Sequence, residues 1–182
     1  MSPTLYTVGH SRRSSEELLQ LLKYVGIRQV IDIRAYPHSA RHPWFNDAAL
    51  RSLLEAAGIR YRWLGRELGG RREQQPNSPH VALAQGGLRA FADHMETRDF
   101  ARGVYSLVEA AAGAPTAMMC AEVSPAQCHR ALVADFLVAS DVQVVHVIGV
   151  GETQVHTLHP AARKEDGRLI YERTSQHTLE LD

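Results

Sequence analysis

Five residues with reactive or anion-binding side chains fall between positions 120 and 130: Cys120, Glu122, Cys128, His129 and Arg130. Both cysteines of the chain are among them. An ionised thiol is a nucleophile, a histidine can take or return a proton, and an arginine fork can hold an anion. Each has a plainer reading when taken alone: a small buried hydrophobe, a satisfied core histidine, a solvated turn carboxylate. Their convergence on one short stretch favours a site.

The elements that position this stretch are readable around it. Thr116 to Met119 is an apolar run suited to a buried strand. Ser124 has the character of an N-cap, Pro125 of a first helical residue, and Gln127 completes a capping box. The expected helix runs to about Ser140, with Leu132, Val133, Phe136 and Leu137 on one face. His129 then points inward near the place where Cys120 and Glu122 leave the strand. Such strand-to-helix junctions are where parallel α/β sheets bind ligands.

Other segments repeat the pattern. Leu5 to Val8 is a strand followed by Gly9, His10 and Ser11, then Arg12 and Arg13, which read as solvated. Ser14 and Glu17 form a capping box ahead of Leu18, Leu21, Leu22 and Val25, and Gly26 ends that helix. Gln29 to Ile33 is a strand carrying Asp32, with Arg34 just after it; a buried charge there needs a partner. Residues 35–45 hold Tyr36, His38, Arg41, His42, Trp44 and Phe45, a loop suited either to ligand contact or to packing. A helix after Asn46 or Asp47 carries Leu50, Leu53 and Leu54 and stops at Gly58.

Ile59 to Leu64 alternates as an edge strand does. Gly65, Gly69 and Gly70 beside Arg66, Arg71 and Arg72 could bring backbone amides to an anion. Residues 73–87 read as a long irregular loop, followed by helices over about 88–96 and 100–112. A strand over 142–148 contains His146, and the tail holds His156, His159 and a strand at 169–171.

Alternating strands and helices predict an α/β fold in three layers, a mostly parallel sheet with helices on both faces. The 182 residues suit one domain, 1–182. Zero formal net charge gives no global case for nucleic acid, although Arg12, Arg13, Arg60, Arg62, Arg66, Arg71 and Arg72 keep a weak local one. No apolar run reaches the roughly 20 residues that span a bilayer. Two cysteines do not make a disulfide scaffold, and the expected location is cytoplasmic, with reduced thiols. The loop from Gly9 to Arg13 lacks the spacing of a dinucleotide or P-loop fingerprint, which makes those readings weak and leaves the cofactor unknown.

Several motifs together resemble a known family: Val8-Gly9-His10-Ser11, Asp32-Ile33-Arg34-Ala35-Tyr36-Pro37, Arg41 to Phe45, Leu64-Gly65, Leu68-Gly69-Gly70, Cys120-Ala121-Glu122 and Cys128-His129-Arg130. They look like the uncharacterised bacterial and archaeal family called domain of unknown function 488. The resemblance implies a small α/β protein and brings no established reaction. Ala121 departs from it, standing where an acidic residue is expected, which weakens any paired-carboxylate mechanism.

The leading expectation is an enzyme acting on an anionic ligand, phosphate-bearing, with a nucleotide or a nucleic-acid end as examples of the class. Cys120 would be the nucleophile, His129 its base, and Glu122 an orienting or protonating group. His10, Ser11, Arg34, Arg41, Cys128 and Arg130 would bind the ligand, aided by amides of the Ser124 helix start. The cysteine and arginine spacing does not match a phosphatase loop. Alternatives are a zinc-type site of Cys120, Glu122, Cys128 and His129, or a non-catalytic module that senses an anion or a protein partner.

Overall fold

In this computed structural model residues 3–173 are described. In chain order the regular elements are β1 (Thr4–Gly9), α1 (Ser15–Tyr24), β2 (Gln29–Asp32), α2 (Asp47–Ala56), β3 (Arg60–Trp63), α3 (Gly65–Leu68), α4 (Gly86–His94), α5 (Arg98–Gly113), β4 (Thr116–Cys120), α6 (His129–Val138), β5 (Gln143–Gly149), β6 (Glu152–Val155), β7 (Ala162–Glu165) and β8 (Arg168–Tyr171). Six strands form one sheet in the order β3-β2-β4-β1-β5-β6. Only the last pairing, β5 with β6, is antiparallel. The expected three-layer, mostly parallel α/β fold is therefore the observed one.

Alternation along the strands divides the core. Val8, Val30, Ala117, Met119 and Val147 face Leu18, Leu21 and Leu22 of α1 and Leu50 and Leu54 of α2. Leu5, Ile31, Met118, Cys120 and Val144 face the other layer, built from α4, α5 and α6 with Leu68 of α3. Every residue of β4 is buried, as a parallel strand covered on both faces should be. Fully burying one such aliphatic side chain stabilises the fold by about 1.5–3 kcal/mol.

Ser14 and Glu17 close the expected capping box at the start of α1. Gly26 and Gly58, each at positive φ, end α1 and α2 where a side chain would be strained. β3 lies at the sheet edge, with Arg60 and Arg62 exposed and Tyr61 buried.

The helix expected from Ser124 is divided. Pro125–Gln127 makes a single 3₁₀ turn, and Ser124 contributes no side-chain cap. Cys128 follows in extended conformation (φ −132°, ψ 146°), and α6 begins at His129. The thiol of Cys128 accepts the Arg130 N–H at 3.4 Å and so takes the N-cap role. Its extended backbone separates turn from helix and brings its sulfur against Cys120.

α6 is buried on more than one side: Arg130, Ala134 and Asp135 are covered along with Leu132, Val133 and Leu137. The covering layer includes Tyr171 of the β7–β8 hairpin, which shares a core cluster with these leucines. Asp135 accepts from the Tyr171 hydroxyl at 2.9 Å, from His156 Nε2–H at 2.8 Å and from the His159 amide at 2.9 Å. The hairpin strand β7 and the antiparallel β6 go beyond the sequence expectation. No helix among the described residues is long and apolar enough to cross a membrane.

Candidate functional site

Residues from the carboxyl ends of β1, β2 and β4 line a cavity of about 440 Å³. His10, Arg34, Tyr36, Arg71, Leu88, Cys120, Glu122, Cys128 and His129 contribute to its wall. The volume is within the range of small-ligand sites.

At its floor the two cysteine sulfurs are 2.9 Å apart. Arg130, 1% exposed, donates from Nη1 to Cys120 Sγ at 3.2 Å and from Nη2 to the Val123 carbonyl at 2.9 Å. The Glu122 carbonyl stands 3.8 Å from Cys120 Sγ, a long contact for a thiol proton. Two close donors against one distant acceptor favour the thiolate at Cys120, with Cys128 S–H donating to it. The Cys128 hydrogen bond, and after it the Arg130 charge, holds Cys120 below the ordinary thiol range against the opposing effect of burial. Cys128 is pushed upward by its contact with Cys120 and by burial, and keeps its proton.

His129 is expected as the base for Cys120, but it stands against Cys128. Its Nε2 lies 3.1 Å from the Ile33 carbonyl, which can only accept, so Nε2 carries the proton. Nδ1 is left as an acceptor 3.5 Å from Cys128 Sγ. Burial, only partly offset by the Ile33 carbonyl, lowers its pKa to about 4 and keeps the ring neutral. Phe91 meets the ring edge-on at 5.0 Å between centroids. Across the ring, a Cβ on Gly70 would come within 2.6 Å of Nδ1, so glycine there permits the fit.

Arg34 and His10 make a second unit. The Asp32 carboxylate, fully buried, accepts from Arg34 Nε and Nη2, the Arg34 amide and the Tyr61 hydroxyl. Arg34 Nη1 donates to His10 Nε2 at 3.2 Å, which places the His10 proton on Nδ1, facing the Ser11 carbonyl. Burial and the Arg34 charge lower the His10 pKa to about 4. The partner that Asp32 requires is therefore Arg34, and most of the Arg34 charge is spent inside the protein.

The remaining expected residues divide. Glu122 is exposed at the rim. Ser11 works through its backbone, its amide donating to the Ala121 carbonyl at 2.8 Å. Arg41 is exposed and lies outside the cavity wall. The helix amides expected at Ser124 begin instead at Cys128. Arg13, read as solvated, donates to the Gly9 and Ile148 carbonyls at 2.6 Å each and clamps the ends of β1 and β5. In the aromatic loop Phe45 is buried against His10, as the packing reading expects, while Tyr36 is exposed at the cavity beneath Arg71. The glycines 65 and 69 pack against the backbone of residues 34 and 35. Among the described residues no group of three or more His, Cys, Asp or Glu is arranged to hold a metal, so the expected zinc-type set is not assembled.

A buried chain of hydrogen bonds lies one strand away, and only its histidines stood out in the sequence. Thr7 Oγ1–H donates to His146 Nδ1 at 2.7 Å, His146 Nε2–H to His156 Nδ1 at 2.9 Å, and His156 Nε2–H to Asp135. The carboxylate end can only accept, which sets the direction throughout. His146, His156 and Asp135 edge a second cavity of about 370 Å³ that shares Leu88 and Cys128 with the first. Thr7 and Asp135 carry no isolated sequence signal, because their partners lie 139 and 21 residues away.

No curated protein and no solved structure matches the chain significantly. The family described as Domain of unknown function DUF488 matches residues 14–137, from the cap of α1 through most of α6. That span holds Asp32, Arg34, Cys120, Cys128, His129 and Arg130, and it covers most of the chain: the protein belongs to the DUF488 family.

Proposed function

We propose that the strand-end cavity is the active site of an enzyme that binds a small anionic ligand and attacks it through the Cys120 thiolate. The observation that carries this is the Cys120 sulfur at the cavity floor, which accepts from Arg130 Nη1–H at 3.2 Å and lies 2.9 Å from the Cys128 sulfur. A thiolate fixed at the base of a cleft is arranged for attack on an electrophilic atom.

Arg71, stacked 5.2 Å over Tyr36, supports an anionic ligand. Asp32 compensates Arg34, and Arg130 is engaged with Cys120 and Val123, so Arg71 is the cation at the rim with charge to spare. Ligand phosphate or carboxylate would meet its guanidinium.

Alkylation of the whole protein tests both halves. Cys120 should react with iodoacetate, an anion, faster relative to neutral iodoacetamide than free cysteine does. Arg71→Ala should return that ratio to the free-cysteine value. A ratio equal to that of free cysteine in the unmodified protein would contradict the anionic ligand. Failure of Cys120 to react with either reagent would contradict the nucleophile.

A further inference from the structure

We propose that Cys120 and Cys128 form a two-electron thiol pair that reduces small anionic disulfides, Cys120 making the mixed disulfide and Cys128 resolving it. This rests on the reading of Cys120 as the nucleophile of the strand-end cavity and names the class of substrate.

The sulfurs are in contact at 2.9 Å, and a disulfide bond is about 2.05 Å long, so closure needs roughly 0.9 Å of movement. Cys128 supplies it from a helix N-cap, where the contacts of its sulfur other than Cys120 are long: the Arg130 amide at 3.4 Å and His129 Nδ1 at 3.5 Å. Both side chains line the cavity, yet they are 1% and 6% exposed. A disulfide on a folded protein surface cannot reach them; a small one entering the cavity can.

The steps balance. The Cys120 thiolate attacks one sulfur of R–S–S–R, forms Cys120–S–S–R and expels R–S⁻. A thiolate leaves without a general acid, which suits a floor where Arg130 is already engaged with Cys120 and Val123. Cys128 then loses its proton to the expelled R–S⁻, and its sulfur attacks the Cys120 sulfur, 2.9 Å away before the exchange. The Cys120–Cys128 disulfide forms and the second R–S⁻ leaves. The substrate gains two electrons and the pair loses two; an external thiol restores the pair.

Arg130 gives the pair its poise. Its bond to the thiolate stabilises the reduced form and has no equal in the disulfide, which raises the reduction potential of the pair: an external thiol restores it readily, and the substrate must be a disulfide supplied in excess or of higher potential. Arg130→Met should therefore lower the reduction potential of the pair.

The test exposes the reduced full-length protein to oxidised glutathione, an anionic disulfide, and to cystamine, a cationic one, followed by peptide mapping. The unmodified protein should form the Cys120–Cys128 disulfide, faster with oxidised glutathione. Cys128→Ser keeps an N-cap side chain and should accumulate glutathione on Cys120, while Cys120→Ser should gain none on Cys128. If Cys128→Ser alkylates at Cys120 yet never forms the mixed disulfide, the thiol-pair chemistry is overturned and the nucleophile stands. If Cys120 neither alkylates nor exchanges, both fall. Adducts forming first on Cys128, or cystamine reacting as fast as oxidised glutathione, would overturn the order of attack or the substrate class.

Discussion

Arg130 and Cys120 meet inside the protein, the guanidinium Nη1 donating to the sulfur at 3.2 Å across the junction of β4 and α6. One side chain thereby favours negative charge on the Cys120 sulfur and, through the Val123 carbonyl, holds the loop above it. Arg130→Met should move the alkylation profile of Cys120 to higher pH. Losing hydrogen bonds from a buried charged group should cost about 2 kcal/mol, or roughly 4–8 °C in Tm for a chain of this size. An unchanged profile would mean that Cys120 owes nothing to Arg130.

Asp32 anchors a separate unit. With Arg34 and Tyr61 both donating to it at zero exposure, Asp32→Asn should destabilise by about 3–5 kcal/mol, the usual consequence of breaking a buried pair. Tyr61→Phe removes one hydrogen bond and should cost about 1 kcal/mol. Urea unfolding compares the two; equal effects would contradict the central place of the carboxylate.

His10, His129 and His146 each have a pKa lowered by burial to about 4, against an ordinary value of 6.5. Below pH 6.5 the unfolded chain takes up protons at these sites and the folded chain does not, so stability falls as pH falls toward 4. Each histidine contributes up to about 1.4 kcal/mol per pH unit within that window. Unfolding free energies at pH 7, 6 and 5 should decline steeply; a flat series would contradict the neutral, buried histidines.

Asp135 ties α6 to the segment that follows β5. Asp135→Asn weakens the acceptor for His156, His159 and Tyr171 together, and leaving buried donors short of a partner costs about 1–3 kcal/mol. Amide exchange should speed up in residues 156–171 and stay slow in β1 and β4. Uniform acceleration would place the loss in the whole core instead.

Much of the fold was legible because it depends on local signals. Ser14 with Glu17, Gly26, Gly58 and the apolar run Thr116 to Met119 each act within a few residues, and each has the structural role read for it. The division at Cys128 was not legible: Ser124, Pro125 and Gln127 satisfy a capping pattern locally, and the contact of Cys128 with Cys120 overrides it. His129 shows the same limit. Its position on α6 brings it to the right rim, while its partner is chosen by the Ile33 carbonyl 96 residues away. Alternation puts Asp32 and Arg34 on one side of the strand, but whether Arg34 pairs with Asp32 or with a ligand depends on side-chain direction, and in the structure both Asp32 oxygens meet the guanidinium.

The most direct measurement is the alkylation of each cysteine by iodoacetamide as a function of pH, resolved by peptide mapping on the intact folded protein. Cys120 should react with a midpoint below the free-thiol value of about 8.5, and Cys128 should stay protonated and unreactive well above it. A midpoint for Cys120 at or above that of a free thiol, or earlier reaction at Cys128, would contradict a thiolate nucleophile at Cys120.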